Sequence, residues 1–386
     1  MKTEPPPKPA SGKYLWLLSL LLPVGYGLFW LAGRNTGLVE RVYAERLFPL
    51  LSRFVSWPGR LLPWSLGELI LVALLAGIIL WLRGLLRTLV YRPPGVLGSL
   101  LRRMGGLSAL AGLLYASFVA LWGLNYLRPP IAHTLDWPLE APTADELQGL
   151  CEELAVDANR LRKDLPSDGT GALKVDRTWV LDHRNEGYER LCGMLAPVLP
   201  ASLHEPSRPK IAFLSFLMSR SLTYGMYIPW TGEALLNGST PALALPFSVC
   251  HEMAHQQGIA REDEANFVAY LACRLHPDPL FRYSGARAAL GESMAQLRVV
   301  RLETWKAIRA SLKTGVLADE AAETAWLRQH QGRFSQMQGR VYDGYLKSQG
   351  QADGALSYGR VVDLLIAERR LTTKAQKDHK AQNLKN

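Results

Sequence analysis

Three apolar runs crowd the first third of the sequence. Long stretches with helical spacing of apolar residues fill the rest, and one aromatic-rich segment is broken by Gly and Pro. Together these predict a mainly α protein with a small β-sheet, in which three N-terminal transmembrane helices precede a water-soluble α+β domain.

The opening "TEPPPKPASG" is tail by composition, so residues 1–13 are expected to be disordered. A membrane domain follows over residues 14–128. Residues 14–33 hold no charged side chain over 20 positions, enough as helix to cross roughly 30 Å of hydrocarbon. They lack a small-residue cleavage site and two more spans follow, so they read as an uncleaved anchor rather than a signal peptide. Residues 61–82 form a second run, interrupted only by Glu68, whose carboxylate is expected to reach the interface or cap the helix. Residues 104–127 form a third. Between the first two, Val39, Tyr43, Leu47, Leu50 and Phe54 recur at helical spacing with Arg46 and Arg53 among them, which predicts an interfacial helix near residues 39–56.

Lys2, Lys8, Lys13, Arg83, Arg87, Arg92, Arg102 and Arg103 place eight cations on one side of the bilayer. Arg34, Arg41, Arg46, Arg53, Arg60 and Arg128 place six on the other. The bias favours an inside N-terminus and a large domain outside the cytoplasm, in a multi-pass membrane protein. These cationic flanks and a lysine-rich end explain most of the net charge of +10. No nucleic-acid motif accompanies it, so the expected partners are the lipid bilayer and a polypeptide or envelope substrate, with no nucleic acid. The cysteines, Cys151, Cys192, Cys250 and Cys273, are too sparse for a disulfide framework and form no C-x-x-C pair.

The soluble domain is expected over residues 129–372, with a basic polar tail at 373–386. Thr143 with Glu146 spells a capping box for a helix running to about residue 165. A second helix is expected at 185–199. The segments "PKIAFLSFLMS" and "TYGMYIPWTGEALLN" read as strands of a small sheet. Long helices are expected at 262–275, 283–312, 319–347 and 358–370.

The chemistry lies in "FSVCHEMAHQQGIAREDEANFVAYLAC", residues 247–273. Ser248 is the expected N-cap of a helix that Gly258 ends. His251 and His255, four apart on that helix, project from one face and can share a metal ion, with Glu252 beside them as a base. Zinc lowers the pKa of a bound water towards ~7, and the carboxylate takes its proton as a carbonyl is attacked. An H-E-x-x-H match arises by chance about 0.01 times per chain of this composition, so the motif is informative. Cys250 points about 100° from His251 around the helix and reads as a small buried thiol. The whole stretch is too polar to be a span, which puts the site outside the bilayer.

A catalytic zinc needs a third protein ligand. The metzincin pattern would put a histidine at position 261, which is Arg261, so that class is excluded. Glu262, Ala265 and Asn266 instead match the E-x-x-[AS]-[DN] pattern of glutamate-zincins. That match makes Glu262 the third ligand, with Glu264 as the alternative, and Asn266 a partner that orients a histidine. The interval of six residues between His255 and Glu262 is shorter than in most of those enzymes.

Beyond the motif, "WGLNYLRPP", "GMYIPWTGEALLN" and "VYDGYLKSQGQADGALSYGRVVDLL" together resemble a family of bacterial membrane proteins of unknown function. That family has three N-terminal spans and a zincin-like H-E-x-x-H domain. The resemblance implies a zincin-like metalloprotease domain behind the membrane helices and a zinc peptidase activity, without a substrate. Zincins bind substrate backbone along a sheet edge before the first zinc helix, which makes Thr231 and Glu233 candidate cleft residues. Tyr358, in a Gly-rich segment, is a candidate for the oxyanion formed in the reaction. The leading expectation is a membrane-anchored zinc peptidase. Its rivals are a zinc-dependent cell-envelope amidase and a catalytically silent, metal-stabilised scaffold.

Overall fold

The computed structural model describes residues 13–92, 94–137, 139–195, 208–349, 351 and 360–383. The tail expected at residues 1–13 thus lies outside the description except for Lys13, and so does Tyr358. Among the described residues the chain is mainly helical with one small sheet, and three helical segments are long and apolar enough to cross a membrane: Tyr14–Ala32, Leu66–Tyr91 and Val96–Leu121.

Each span differs from its apolar run for a local reason. The first is two helices, Lys13–Ser19 and Leu21–Ala32. Pro23 has no N–H to donate to the Ser19 carbonyl, so the ladder breaks between them. The second begins at Leu66 because Ser65 is extended and accepts from the Glu68 amide at 3.0 Å, and it runs past residue 82 to Tyr91. The third starts at Val96 and gives way to a 3-10 turn, Gly123–Leu127. First and third spans pack through glycine: a Cβ on Gly112 would lie 3.0 Å from the Leu18 carbonyl oxygen, and one on Gly25 would lie 3.0 Å from the Ala116 Cα.

The segment expected as an interfacial helix is a π-helix, Val39–Leu47, running into an α-helix, Phe48–Arg60. The wider turn changes the phase of the apolar stripe. Tyr43 is 5% exposed and Phe48 3%, both packed on Trp122 and its neighbours, whereas Leu50 is 66% exposed and Phe54 79%. One half of the stripe therefore holds protein, and only the other half is left for lipid.

Beyond Arg128 the capping box is present at Thr143 and Glu146, and its helix is Ala144–Arg162. The helix expected at 185–199 is Glu186–Met194. The sheet has the order β1-β3-β2, with β1 Lys210–Ile211, β2 Gly225–Ile228 and β3 Glu233–Leu236. β1 is parallel and β2 antiparallel to β3, in a register that faces Gly225 with Leu236 and Ile228 with Glu233. Most of "PKIAFLSFLMS" is not strand. Ser215–Arg220 is helix, and the Glu68 carboxylate accepts from the Phe213 and Leu214 amides at its start, at 3.1 and 2.8 Å. Tertiary context, including this carboxylate from a membrane helix, overrides local β propensity here.

The helix bearing the motif is Leu245–Gln256, and it starts before Ser248. A 3-10 turn, Ala242–Ala244, feeds it directly, Pro246 sits in its first turn, and Ser284 Oγ accepts from the Phe247 amide at 3.1 Å. Glu262–Leu275 follows within the expected bounds, after Gly258 turns the chain at φ +85. The other two long expected helices are each broken, into Pro279–Val300 and Leu302–Ser311, and into Thr314–His330 and Arg333–Ser348. The last helix, Val361–Asn383, extends into the residues expected as a polar tail. The main core lies between the motif helix, Glu262–Leu275, Pro279–Val300 and Ala144–Arg162, around Val249, Met253, Phe267, Leu271 and Leu290.

Candidate metal centre

The turn at Gly258 folds Glu262–Leu275 back against the motif helix, and this sets the first turn of one helix over the last two turns of the other. As a result one ligand atom from each of His251, His255 and Glu262 lies within 4.8 Å of the others. His251 Nε2 is 3.3 Å from Glu262 Oε2, and His255 Nε2 is 3.7 Å from Glu262 Oε1. His255 Nδ1 is 2.7 Å from the Ile259 carbonyl oxygen, an acceptor only, so Nδ1 donates to it and Nε2 is the nitrogen left facing Glu262. Tyr342, from the Arg333–Ser348 helix, donates to Glu262 Oε1 at 2.6 Å.

The electrostatics of this triangle favour a cation. Burial opposes the charge on Glu262, but the two imidazoles hold its carboxyl well below the usual value. Burial likewise opposes charge on His255, yet the Glu262 carboxylate lifts it to about 9. Two nitrogens and one carboxylate oxygen are the donor set of a three-ligand zinc site with an open fourth position. The residues present therefore fit a divalent metal.

Glu252 is buried beside the triangle and shares its cavity. Burial pushes its carboxyl up to about 7, against the pull of His251 and His255. Its Oε2 and the Nδ1 of His251 have no hydrogen-bond partner among the described residues. The backbone of β2 passes so close that a Cβ at Gly225 would overlap Glu252 Oε1. Glu252, both histidines, Glu262 and Asn266 line a cavity of about 980 Å³.

A sequence profile described as "Protein of unknown function (DUF3810)" matches residues 43–366. The chain belongs to that family. No curated protein and no solved structure matches it. In this DUF3810 chain the matched stretch takes in the second and third spans, the sheet and both helices of the triangle.

The remaining candidate residues separate cleanly. Glu264 faces away from the triangle and accepts from the Ile131 amide at 2.8 Å, with burial raising its carboxyl to about 7. Asn266 lies in the cavity wall without a hydrogen bond to either histidine, so the group that orients His255 is the Ile259 carbonyl. Thr231 and Glu233 are buried outside the cavity. Glu233 pairs with Lys210 at 2.7 Å and accepts from the Leu66 and Gly67 amides at 3.1 and 2.7 Å, which makes it the cap of the second span. Sequence reading missed Tyr342, Gly225 and Trp122, whose ring stands edge-on to His255 at 6.0 Å. Only Gly225 carried a signal, because an isolated glycine in a strand marks close approach of a neighbour.

Proposed function

We propose that this protein is a membrane-anchored, zinc-dependent peptidase with a zincin-like catalytic domain, held with its site outside the cytoplasm. The observation that supports the reading furthest is the triangle of His251, His255 and Glu262 with the unpartnered Glu252 Oε2 beside it in one cavity. A zinc ion held by those three side chains would supply Lewis acidity toward a water and a carbonyl. Glu252 takes the proton of the attacking water and returns it to the leaving nitrogen, a role that requires a carboxylate not consumed by another bond. Gly225 keeps room for that carboxylate. β2 is the edge strand beside the cavity, and its free backbone groups suit an extended peptide better than a compact amide. A purely structural metal would have no use for Glu252.

The test uses the full chain in detergent. About one zinc per chain should copurify and be lost from His251→Ala and His255→Ala. Glu252→Gln should keep the metal and lose roughly 10²- to 10⁴-fold of turnover on a peptide library, as removal of a general base does. Absence of stoichiometric metal, or turnover of Glu252→Gln within tenfold of the parent, sinks the reading. A library of envelope glycopeptides run in parallel reports the amide alternative. Orientation is read by a reporter fused after Asn386 that works only outside the cytoplasm, which should be active.

A further inference from the structure

The cavity does not end at the candidate metal centre. Its far wall is the third span: Ala111, Leu114, Tyr115 and Phe118 line it, and all belong to the helix Val96–Leu121. Seven residues of helix cover roughly 10 Å, so the cavity descends about two turns along a membrane-crossing segment. The edge strand points the same way. At Gly225 the strand touches Glu252, and the Tyr227 ring lies 4.7 Å from Trp122. Trp230, just past the strand, donates to Ser117 Oγ on the third span at 2.9 Å and stands 6.2 Å from Phe118. Within six residues the edge thus runs from the base to the membrane helix. Met226 and Trp230 remain exposed along it, an apolar fringe that water does not favour.

We infer that the substrate is a membrane-anchored polypeptide, cut just outside the bilayer, whose apolar anchor reaches the site along the third span. The extended part pairs with β2 across Glu252, and the flanking apolar part fills the limb between Trp230 and Ala111. This rests on the peptidase reading, which it narrows to one class of substrate. A freely soluble peptide would fill only the polar end and leave the apolar limb to be covered by lipid or water.

The experiment uses the full chain in lipid nanodiscs and two synthetic probes: a polyleucine transmembrane peptide with an extended tail taken from a library hit, and that tail alone. Glu252→Gln carrying p-benzoylphenylalanine at position 114 is irradiated with each probe. Cross-links to the anchored probe but not to the free tail are expected. The wild type should cut the anchored probe with kcat/KM at least about tenfold higher at matched surface concentration, since two linked contacts raise effective concentration. Ala111→Trp, which fills the limb, should shrink that ratio. Equal cleavage of both probes without a cross-link overturns the inference and leaves the peptidase reading standing. Cross-links only to lipid acyl chains, unaffected by the anchored probe, also overturn it. Cross-linking to the anchored probe with no cleavage of any peptide keeps the binding inference and removes the peptidase reading.

Discussion

Glu262 and Glu264 are two residues apart and do opposite work. One faces two imidazoles, and the other caps the Ile131 amide at the start of the segment that leaves the membrane. Glu262→Ala should therefore abolish zinc binding in a metal titration. Glu264→Ala should retain the metal while costing about 1–3 kcal/mol of stability for the orphaned amide. Normal affinity in the first with loss in the second would reverse the assignment. Asn266→Ala should change metal affinity by less than about tenfold, because the carbonyl of Ile259, not an amide side chain, fixes His255. Gly225 offers a sharper probe. Gly225→Val should push the Glu252 carboxylate from its place and lower turnover roughly 10²-fold or more, with zinc content intact by elemental analysis. Unchanged turnover would mean that the strand yields and that the close approach has no role.

At the level of elements, the second span and the sheet are joined by carboxylates exchanged in both directions. Glu233 of β3 accepts from the first amides of the span, while Glu68 of the span accepts from the amides of Phe213 and Leu214. Lys210 completes the exchange, donating to Glu233 and to the carbonyls of Gly59 and Trp64 at 2.6 and 2.8 Å. Lys210 lies beside the buried Glu233 carboxyl and, with the span amides, holds it below its usual value although burial opposes this. Glu233→Ala leaves the half-buried Lys210 charge without its counter-ion and the first amides of the span without an acceptor, and should lower stability by about 3–5 kcal/mol in detergent unfolding. Replacing Lys210 with Met alongside Glu233→Gln should recover part of that loss. A single Glu233→Ala that unfolds like the parent would show the exchange to be incidental.

Seen whole, the molecule does not divide at Arg128. Tyr43, Phe48 and Trp122 from the membrane half form one buried cluster with Tyr126 and with Ala260 of the turn between the two helices of the candidate site. Arg128 ties Glu40 at 2.6 Å to the Gly258 carbonyl at 3.1 Å in that same turn. The wall of the candidate site is thus partly built by the membrane helices. Residues 129–386 made alone should aggregate or unfold without cooperativity, and should bind zinc more weakly than the full chain. A monodisperse fragment with parental metal affinity on gel filtration and titration would contradict this.

The sequence by itself determined the three spans, the capping box at Thr143 and the bounds of Glu262–Leu275. Each depends on contacts within a turn or two, where composition and period act directly. It also marked out His251, Glu252 and His255, because helical spacing puts the two histidines on one face, and Glu262 through its match to the glutamate-zincin pattern. Only the tertiary structure decided what Glu233 does, since a carboxylate at the start of a strand reads the same whether it faces a cleft or the end of a helix more than 160 residues away in the chain. The helix in place of a strand at Ser215–Arg220 was no more legible, because the Glu68 carboxylate that holds the two residues before it comes from a distant span. The third span as a wall of the cavity was equally out of reach. An apolar helix shows no preference in its own residues between lipid and a neighbouring site, and only the packing of Trp122, Tyr227 and Trp230 against it makes that choice.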